Sequence, residues 1–332
     1  MTQPATFAAF RIHSEKTSHR AGIEEIKTDD LSPGEVVIKV AYSSVNYKDA
    51  LAGSGKGKIL RQSPLNGGID VSGTVVSSSD PAFKEGDQVL CTGSGLSETR
   101  DGGYAEYARL ESKWTIPLPT NLSLRDAMVL GTAGFTAALS LYRMKQNGQF
   151  PDMGPIVVTG ATGGVGQLAI DVLTQAGYEA HAISGKIEHF DDLIALGAKQ
   201  CISTKDLYWG QRPLESTKWA GAIDNVGGDL LSGLTRVIHP YGNIASCGNA
   251  AAIELQTTVM PFILRGVSLL GIASAGTARG IRDEIWQHLA SDWKPAHLDR
   301  IATSEVTLEQ LPAAFDKMTS GASFGRTVVK IG

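Results

Sequence analysis

The segment Val157-Val-Thr-Gly-Ala-Thr-Gly-Gly-Val-Gly166 constrains the fold of this chain more than any other feature. An apolar strand pattern runs into a glycine-rich turn, and a helix pattern follows. Glycine permits a sharp turn and lets backbone N–H groups approach a diphosphate, while the helix N-terminus supplies partial positive charge. The segment therefore predicts a dinucleotide site, although its spacing is GxxGxxG and a glycine-rich turn that binds nothing is the alternative. The predicted contacts are Gly160, Thr162, Gly163, Gly164 and Val165.

Strand and helix patterns alternate around and after this turn. Strands are predicted at 156–159, 179–183, 201–202, 221–224, 242–245 and 267–271, and helices at 163–176 and 187–196. This alternation is typical of βαβ units, so we predict an α/β fold with a doubly wound parallel sheet. Because ligands bind at the carboxyl ends of such strands, Asn225, Gly248 and Asn249 are further predicted cofactor contacts. Cys247 is either a cofactor-facing residue or a plain buried thiol.

The end of the second strand of this pattern indicates which dinucleotide is bound. The sequence there is His181-Ala-Ile-Ser-Gly-Lys186. An NAD site usually has an acid at this place, which bonds the ribose 2′-hydroxyl. Here Ser184, Gly185 and Lys186 follow the strand, and a hydroxyl and a cation suit a 2′-phosphate that an acid would repel. We therefore predict NADPH as the cofactor; the alternative is that Lys186 lies on a solvated face.

The first 120 residues have a different, β-rich pattern. Short strand patterns at 36–40, 73–76 and 88–90 are separated by turn signals, which predicts a compact barrel-like domain. Ser123 is placed to cap a helix that runs from Leu124 to about Met144. A last strand pattern at 326–331 is expected to return to the first domain, which would make that domain discontinuous.

Composition excludes several classes of function. Among 332 residues, 30 Lys and Arg stand against 34 Asp and Glu, a formal net charge of −4. A mildly acidic chain has no electrostatic footprint for nucleic acid or an anionic membrane. We see no secretion signal and no convincing membrane span. The three cysteines form no CxxC pair, which excludes a four-cysteine zinc site and favours the cytoplasm.

Three longer motifs extend these observations over most of the chain. They are NYKD at Asn46–Asp49, GTAGFTAALS at Gly131–Ser140 and PFILRGVSLLGI at Pro261–Ile272. With the glycine turn, they resemble the medium-chain dehydrogenase/reductase superfamily, and more narrowly its zinc-independent quinone oxidoreductase and acryloyl-CoA reductase subgroup (YhdH/YhfP-like). The resemblance implies a GroES-like β-barrel catalytic domain at 1–123 and 300–332. It also implies a Rossmann NADPH-binding domain at 124–299.

The resemblance also shows which metal ligands are replaced. Zinc-dependent alcohol dehydrogenases of the superfamily have a Cys where this chain has Asn46, and a His–Glu pair where it has Ile69 and Asp70. Asn and Ile do not hold zinc in a site of that type, so we predict no metal. Without a Lewis acid to polarise an alcohol oxygen, the expected reaction is reduction of an electron-poor C=C bond.

Tyr47 is implied by the resemblance as a catalytic residue and cofactor contact, beside the nicotinamide and the substrate carbonyl. Its phenol would hydrogen-bond a developing enolate or relay a proton, and a packing tyrosine is the alternative. Thr132 and Thr136 are expected near the nicotinamide, with helix packing as their alternative. Structural roles are assigned to the remaining charged candidates: Lys48 and Asp49 as local charges, and Arg265 as a paired buried charge at a subunit or domain contact.

The sequence thus predicts a zinc-independent, NADPH-dependent reductase of α,β-unsaturated carbonyls. The substrate is expected to be an acyl-CoA thioester such as acryloyl-CoA, or a quinone. We expect a cytoplasmic homodimer with neither nucleic acid nor membrane as a partner. A non-catalytic NADPH-binding protein, either a sensor or a crystallin-like protein, is the alternative. No basic cluster is evident in the first domain for the phosphates of CoA.

Overall fold

The structure is a computed structural model that describes residues 4–15 and 18–332. It divides into two compact units. Unit 1 comprises Met1–Thr132, Ala275–Glu284 and Leu298–Gly332, and unit 2 comprises Ala133–Ser274 and Ile285–His297. The domain limits that we derived from the sequence, at 123/124 and 299/300, stay a prediction. None of the described helices is both long and apolar enough to cross a lipid bilayer.

Unit 1 is built mainly from antiparallel strands. The elements in its first segment are β1 (Phe7–Ser14), β2 (His19–Ile26), β3 (Val36–Val45), α1 (Tyr47–Gly53), β4 (Leu65–Asn66), β5 (Asp70–Ser78), β6 (Gln88–Thr92), β7 (Tyr107–Leu110) and β8 (Ile116–Pro117). One sheet has the order β2-β1-β4, and a larger sheet contains β3, β5, β6 and β8, with β7 paired to β3. The three predicted strands lie within β3, β5 and β6. The strand β2 was not predicted, because only half of its residues are apolar or glycine and they do not alternate regularly with polar ones.

The helix α2 (Leu124–Gln146) follows the first segment of strands. The Ser123 hydroxyl accepts a hydrogen bond from the Asp126 N–H at 3.0 Å, which confirms the predicted cap. Helical geometry is interrupted at Gly131, where φ is 49° and ψ is −151°. A Cβ at Gly131 would lie 2.5 Å from the Asp70 Oδ2 atom, so glycine is required there for space as well as for backbone conformation.

Unit 2 contains a parallel sheet of six strands. These are β9 (Ile156–Thr159), β10 (Ala180–Ser184), β11 (Ala198–Ser203), β12 (Trp219–Asp224), β13 (Ile238–Ser246) and β14 (Ser268–Gly271). Their order is β11-β10-β9-β12-β13-β14, and all pairs are parallel. The helices are α3 (Gly164–Gln175), α4 (Phe190–Ala195), α5 (Gly228–Val237) and α6 (Met260–Arg265). The strand order reverses between β9 and β12, as in a doubly wound sheet, so the predicted fold class is confirmed for this unit.

The predicted helix at 187–196 is divided in the structure. A 3₁₀ turn at Ile187–His189 precedes α4, because the backbone of His189 (φ −107°, ψ 12°) departs from helical geometry. The apolar periodicity across 187–196 gave no sign of this interruption.

The chain ends in unit 1. After α7 (Arg279–Leu289), the elements are α8 (Leu298–Ile301), β15 (Ser304–Val306), α9 (Leu311–Thr319) and β16 (Thr327–Lys330). The strand β16 pairs antiparallel with β3, with Val328 opposite Ser44, which confirms the predicted return of the last strand. Phe315 of α9 packs in one core cluster with Phe10, Tyr104 and Ala50. The C-terminal segment is therefore part of the core that supports α1.

Candidate active site

A buried polar cluster in unit 1 surrounds the carboxylate of Asp70. Its Oδ1 atom accepts the Thr132 hydroxyl at 2.6 Å and the Thr132 N–H at 3.0 Å. Its Oδ2 atom accepts the Ser44 hydroxyl at 2.7 Å and the Asn46 side-chain amide at 2.8 Å. The Arg326 guanidinium lies 3.8 Å from Oδ2. These contacts offset the cost of burying a charge that has no solvent exposure. We call the following residues the Asp70 cluster: Ser44, Asn46, Asp49, Asp70, Thr132 and Arg326.

Arg326 connects the cluster to the surrounding backbone. Its guanidinium is buried and donates to the carbonyl oxygens of Val45 at 3.0 Å and Val129 at 2.9 Å. It also donates to the Asn46 Oδ1 atom at 3.0 Å. The planar fork of arginine donors suits several acceptors in fixed directions. Arg326 therefore ties the end of β3, the start of α2 and Asn46 together.

Asn46 fixes the first turn of α1. Its side-chain amide donates to Asp70 and, at 3.1 Å, to Asp49, while its own N–H donates to Asp49 at 2.9 Å. Tyr47, the first residue of α1, is 47% exposed. The tyrosine ring is thus held on a fixed backbone and is open to a ligand. Its catalytic role remains a prediction.

Asp49 is a buried carboxyl close to a second one. Burial, followed by the charge of Asp70, raises the pKa of Asp49 from its ordinary 3.8 to about 7. Hydrogen bonds from Asn46 and from the Ile69 N–H at 2.9 Å oppose this shift. Asp49 therefore changes charge near neutral pH, and its contacts agree with the structural role expected for it.

The residues at the superfamily's zinc-ligand positions do not fit zinc. The amide nitrogen of Asn46 donates to carboxylates, the side chain of Ile69 is apolar, and both oxygens of Asp70 are occupied by hydrogen-bond donors. Zinc is bound by combinations of thiolate, imidazole and carboxylate ligands, almost always four in a tetrahedron in structural sites. Within residues 4–15 and 18–332, no group of three His, Cys, Asp or Glu side chains is placed to hold a metal ion. We therefore derive no catalytic step through zinc.

The glycine-rich turn of unit 2 joins β9 to α3. Gly160 has a φ of 58°, and a Cβ there would lie 3.1 Å from a methyl group of Val226. Gly166 lies directly against the Gly160 carbonyl, so a side chain at 166 would push the helix away from the turn. The first N–H groups of α3, which begins at Gly164, have no partner within the helix. The predicted contacts Gly163, Gly164 and Val165 are all at least partly exposed at this helix start. This cradle fits the diphosphate of a dinucleotide.

Ser184, at the end of β10, meets the glycine-rich turn. Its hydroxyl lies 3.2 Å from the Thr162 hydroxyl and accepts the Lys186 N–H at 3.1 Å. Ser184 and Thr162 are buried, Lys186 is half-buried and Gly185 is exposed. A Cβ on Gly185 would lie 3.2 Å from the Thr204 hydroxyl. Sequence reasoning missed Thr204 as a neighbour because it follows β11, well beyond the motif.

The ends of β12 and β13 also converge. The Asn225 amide donates to the Thr159 carbonyl at 2.7 Å, and Gly248 approaches the Asn225 backbone so closely that a Cβ would collide with it. Asn249 follows and is exposed. The Cys247 thiol donates to the Asn225 Oδ1 atom at 3.1 Å, and burial raises the pKa of this thiol to about 12. Cys247 is therefore a neutral hydrogen-bond donor, not a thiolate.

Thr136 is buried in α2 and belongs to unit 2, whereas Thr132 belongs to unit 1. The interpretation of Arg265 as a paired charge at a subunit or domain contact stays a prediction, and its described contacts are with backbone carbonyls. Its guanidinium donates to the carbonyl oxygens of Arg236, at 2.8 Å, and of Glu215. Since the last carbonyls of a helix lack intrahelical partners, Arg265 satisfies the end of α5.

The predicted residues thus form two groups. Tyr47 and Thr132 lie in unit 1, where Asp70 connects Thr132 to Asn46. The others lie in unit 2 at the carboxyl ends of its strands and in α2. Sequence reasoning missed the roles of Ser44 and Arg326. The only sequence signal of Ser44 was its position as a polar residue inside an apolar strand pattern. The only signal of Arg326 was its position directly before the last strand pattern.

Two family models match this chain. Residues 32–120 match the model described as alcohol dehydrogenase GroES-like domain, and residues 164–291 match the model described as zinc-binding dehydrogenase. The Bacillus subtilis relative named "Putative quinone oxidoreductase YhfP" is 48% identical over 93% of this chain and 94% of its own length. Acrylyl-CoA reductase AcuI of Ruegeria pomeroyi is 40% identical over 94% of both chains.

Solved structures agree with these relationships. The yhdH oxidoreductase of Salmonella enterica, in complex with NADP, has a TM-score of 0.94 at 42% identity and covers 98% of this chain and 100% of its own. Bacillus subtilis yhfP, with NAD bound, has a TM-score of 0.95 at 46% identity with the same coverage. The predicted combination of a GroES-like domain and a Rossmann-type sheet is confirmed.

Proposed function

Since this chain belongs to the medium-chain dehydrogenase/reductase superfamily, in the group that contains YhfP and AcuI, we propose that it is a zinc-independent, NADPH-dependent reductase. Its substrates are α,β-unsaturated carbonyl compounds, namely acyl-CoA thioesters such as acryloyl-CoA, or quinones. One observation carries the proposal. The chain has the glycine-rich dinucleotide turn, but a hydrogen-bonded cluster around Asp70 and Asn46 stands where the zinc enzymes of the superfamily have their metal ligands. Such a site favours reduction of a conjugated bond over metal-assisted alcohol oxidation.

The cofactor is held by unit 2 in this proposal. NADPH, when bound, supplies a hydride. The helix start at Gly163, Gly164 and Val165 would hold its diphosphate, and Ser184 with Lys186 would hold its 2′-phosphate. The absence of an acid directly after β10 supports NADPH over NADH. Because the relative yhfP was solved with NAD, both cofactors need to be compared in this protein.

Tyr47 contacts the substrate in this proposal. Its hydroxyl donates a hydrogen bond to the substrate oxygen on which negative charge develops, and a proton then reaches the α-carbon from Tyr47 or from water. The exposure of the ring and the fixed start of α1 support this role. Asn46 is a positioning residue, since it connects the backbone before Tyr47 to Asp70. Thr132 and Thr136 are cofactor contacts.

Consumption of NADPH in the presence of small panels of enones, quinones and acyl-CoA thioesters tests the function. We expect turnover with at least one conjugated substrate, with no loss of rate in the presence of EDTA. Tight NADPH binding without turnover of any compound would favour the non-catalytic alternative, a sensor or crystallin-like protein. Loss of activity in EDTA, restored by zinc, would contradict zinc independence.

We further propose a homodimer formed through unit 2. The strand β14 is paired on one side with β13 and, within the described residues, lies at the edge of its sheet. Exposed apolar side chains occur within β14, at Leu269, and in the preceding segment that contains α6, at Val259, Met260, Ile263 and Leu264. An exposed edge strand beside apolar side chains suits a self-complementary interface with two-fold symmetry. Sedimentation analysis of Ile263→Asp tests this: a dimer that becomes monomeric supports the interface, and an unchanged mass contradicts it.

The charge and the cysteines of the chain bear on its cellular location and its partners. We propose a cytoplasmic enzyme whose partner is a small molecule, with neither nucleic acid nor membrane bound. The formal charge of −4 and the three free cysteines support this proposal. Cell fractionation tests the location.

A further inference from the structure

A pocket in unit 1 concentrates positive charge beside Tyr47. It has a volume of about 470 Å³ and is lined by Lys48, Lys58, Ile59, Leu60, Arg61 and Glu98. We call it the Lys58 pocket. Three cations face one carboxylate, so the lining carries an excess of positive charge although the whole chain is acidic. The sequence analysis found no basic cluster in this domain. The pocket contradicts that expectation, because Lys58 and Arg61, in the loop directly after α1, line it together with Lys48.

Glu98 organises two of these cations. It forms an ion pair with Lys48, and its other oxygen lies 3.0 Å from the Arg61 guanidinium. The Arg61 N–H also donates to the Glu98 carbonyl at 2.7 Å, which fixes the loop to the segment around 98. The hydrogen bond from Lys48 is the main reason that the pKa of Glu98 lies below its ordinary value. Glu98 is therefore ionised and neutralises only one of the three cations.

Lys58 is the cation that remains without a carboxylate. It is exposed, and within the part of the chain that the structure describes, no acidic side chain pairs with it. Arg61 is also largely exposed, with 74% of its side chain accessible, so its free N–H groups can bind a second acceptor. A pocket with spare donors and excess positive charge is built to bind an anion.

The chemistry of the lining indicates which anion. Arginine and lysine together are typical of phosphate sites, where guanidinium binds two oxygens and ammonium adds charge. Ile59 and Leu60 add an apolar wall, which a bare inorganic ion does not use. The volume is within the range of small-molecule pockets, and it suits a phosphate-bearing fragment of a larger molecule.

We propose that the Lys58 pocket binds the phosphate groups of a coenzyme A thioester, which makes acyl-CoA the substrate class of this enzyme in preference to quinones. The inference rests on the proposed function, because it places the reacting acyl end at Tyr47, which directly precedes Lys48. A quinone carries no phosphate and would leave the pocket unused.

The direct test compares acryloyl-CoA with acryloyl-pantetheine, which lacks the whole 3′-phospho-ADP part of coenzyme A and with it every phosphate. The quantity measured is the ratio of their kcat/KM values. We expect Lys58→Ala and Arg61→Gln each to lower this ratio about tenfold, chiefly through KM for acryloyl-CoA, since one charge-assisted contact to phosphate is lost. Lys58→Arg should restore most of the ratio. Lys84→Ala, which removes an exposed lysine that does not line the pocket, is the matched control and should keep the wild-type ratio.

A binding measurement separates failure of this inference from failure of the proposed function. Calorimetric titration of the protein with coenzyme A, with pantetheine and with inorganic phosphate needs no turnover. Coenzyme A should bind more tightly than either other probe, and Lys58→Ala and Arg61→Gln should weaken its binding. This result would support coenzyme A binding in the Lys58 pocket even if no thioester is reduced. In that case the proposed reductase function would be wrong, and the inference about the pocket would still hold. Equal ratios and equal coenzyme A affinities in wild type and both variants would overturn the inference. Binding of inorganic phosphate as tight as that of coenzyme A would also overturn it, because the pocket would then be a free-anion site.

Discussion

The carboxylate of Asp70 accepts both the hydroxyl of Thr132, at 2.6 Å, and its N–H, at 3.0 Å. This pair of bonds lies directly after the break in α2 at Gly131. The same carboxylate accepts the amide of Asn46, the residue before Tyr47. One buried charge thus fixes the backbone at two residues that we expect to contact cofactor or substrate. The cluster that occupies the zinc position therefore has a positioning role of its own.

Neutralising Asp70 should destabilise the protein strongly. In Asp70→Asn, the buried Arg326 loses its counter-charge, and removal of one partner of a buried pair typically costs about 3–5 kcal/mol. Urea denaturation measures this loss in the free energy of unfolding. Asp299→Asn is the control, because Asp299 is 97% exposed in its ion pair with Arg125 and should have no measurable effect. Equal stability of both variants would mean that Asp70 does not stabilise Arg326.

Asp49 should make stability depend on pH between about 4 and 7. Its pKa in the folded protein is about 7, above the ordinary 3.8, so the folded state retains a proton that the unfolded state has released. The stability that Asp49 contributes is therefore complete below pH 4 and is lost as pH rises through 7. Relative to Asp49→Asn, the unfolding free energy of wild type should fall by up to about 1.4 kcal/mol per pH unit in this window. Denaturation curves at several pH values measure the difference, and a constant difference would show that Asp49 is ionised throughout.

Lys186→Ala should weaken NADPH binding and leave NADH binding almost unchanged. The variant loses one charge-assisted contact to the 2′-phosphate, about 1.5–3 kcal/mol. Fluorescence titration of both cofactors measures this effect. Lys199→Ala removes an exposed lysine from β11 of the same unit and serves as the control. If the variant binds both cofactors more weakly by the same factor, the Lys186 side chain does not contact the 2′-phosphate.

Tyr47→Phe should slow the chemical step while retaining the ring. A well-aimed hydrogen bond to a developing oxyanion contributes about 2.7–4 kcal/mol, or roughly 10²–10³ in rate. Single-turnover oxidation of NADPH with acryloyl-CoA, or with the best quinone if no thioester reacts, measures this rate. If only the ring contributes, Phe will behave like wild type and Tyr47→Ala alone will be slow. That outcome would leave Tyr47 a contact residue and assign proton delivery to water.

Much of the fold could be predicted because its signals are local. The strand before Gly160, the helix after it and the later alternation of elements each depend on residues close in sequence. The cap at Ser123 is likewise a local signal, and the structure has it at the predicted residue. The last strand was predicted from its β-branched run and its return to the first domain was expected, whereas its pairing with β3 was not predicted.

The less predictable features depend on residues that are distant in sequence. Arg326 meets Asn46 across 280 residues, and no local pattern marks either of them as a partner. The break at Gly131 becomes understandable only when Asp70 is placed against it. The ion pairs of the Lys58 pocket also depend on sequence distance, since Glu98 pairs with Lys48 and Arg61 and is far from both in sequence. Sequence patterns identified the cofactor half of the site, whereas long-range polar contacts define the other half.

In the proposed reaction, hydride adds to the β-carbon of a conjugated carbonyl compound. Incubation of the protein with acryloyl-CoA and NADPH deuterated at the nicotinamide C4, followed by mass spectrometry and NMR of the product, tests it most directly. We expect propionyl-CoA with one deuterium on its β-carbon and a solvent-derived proton on its α-carbon. Oxidation of NADPH without deuterium at the β-carbon, or no reaction despite saturation with both compounds, would contradict it.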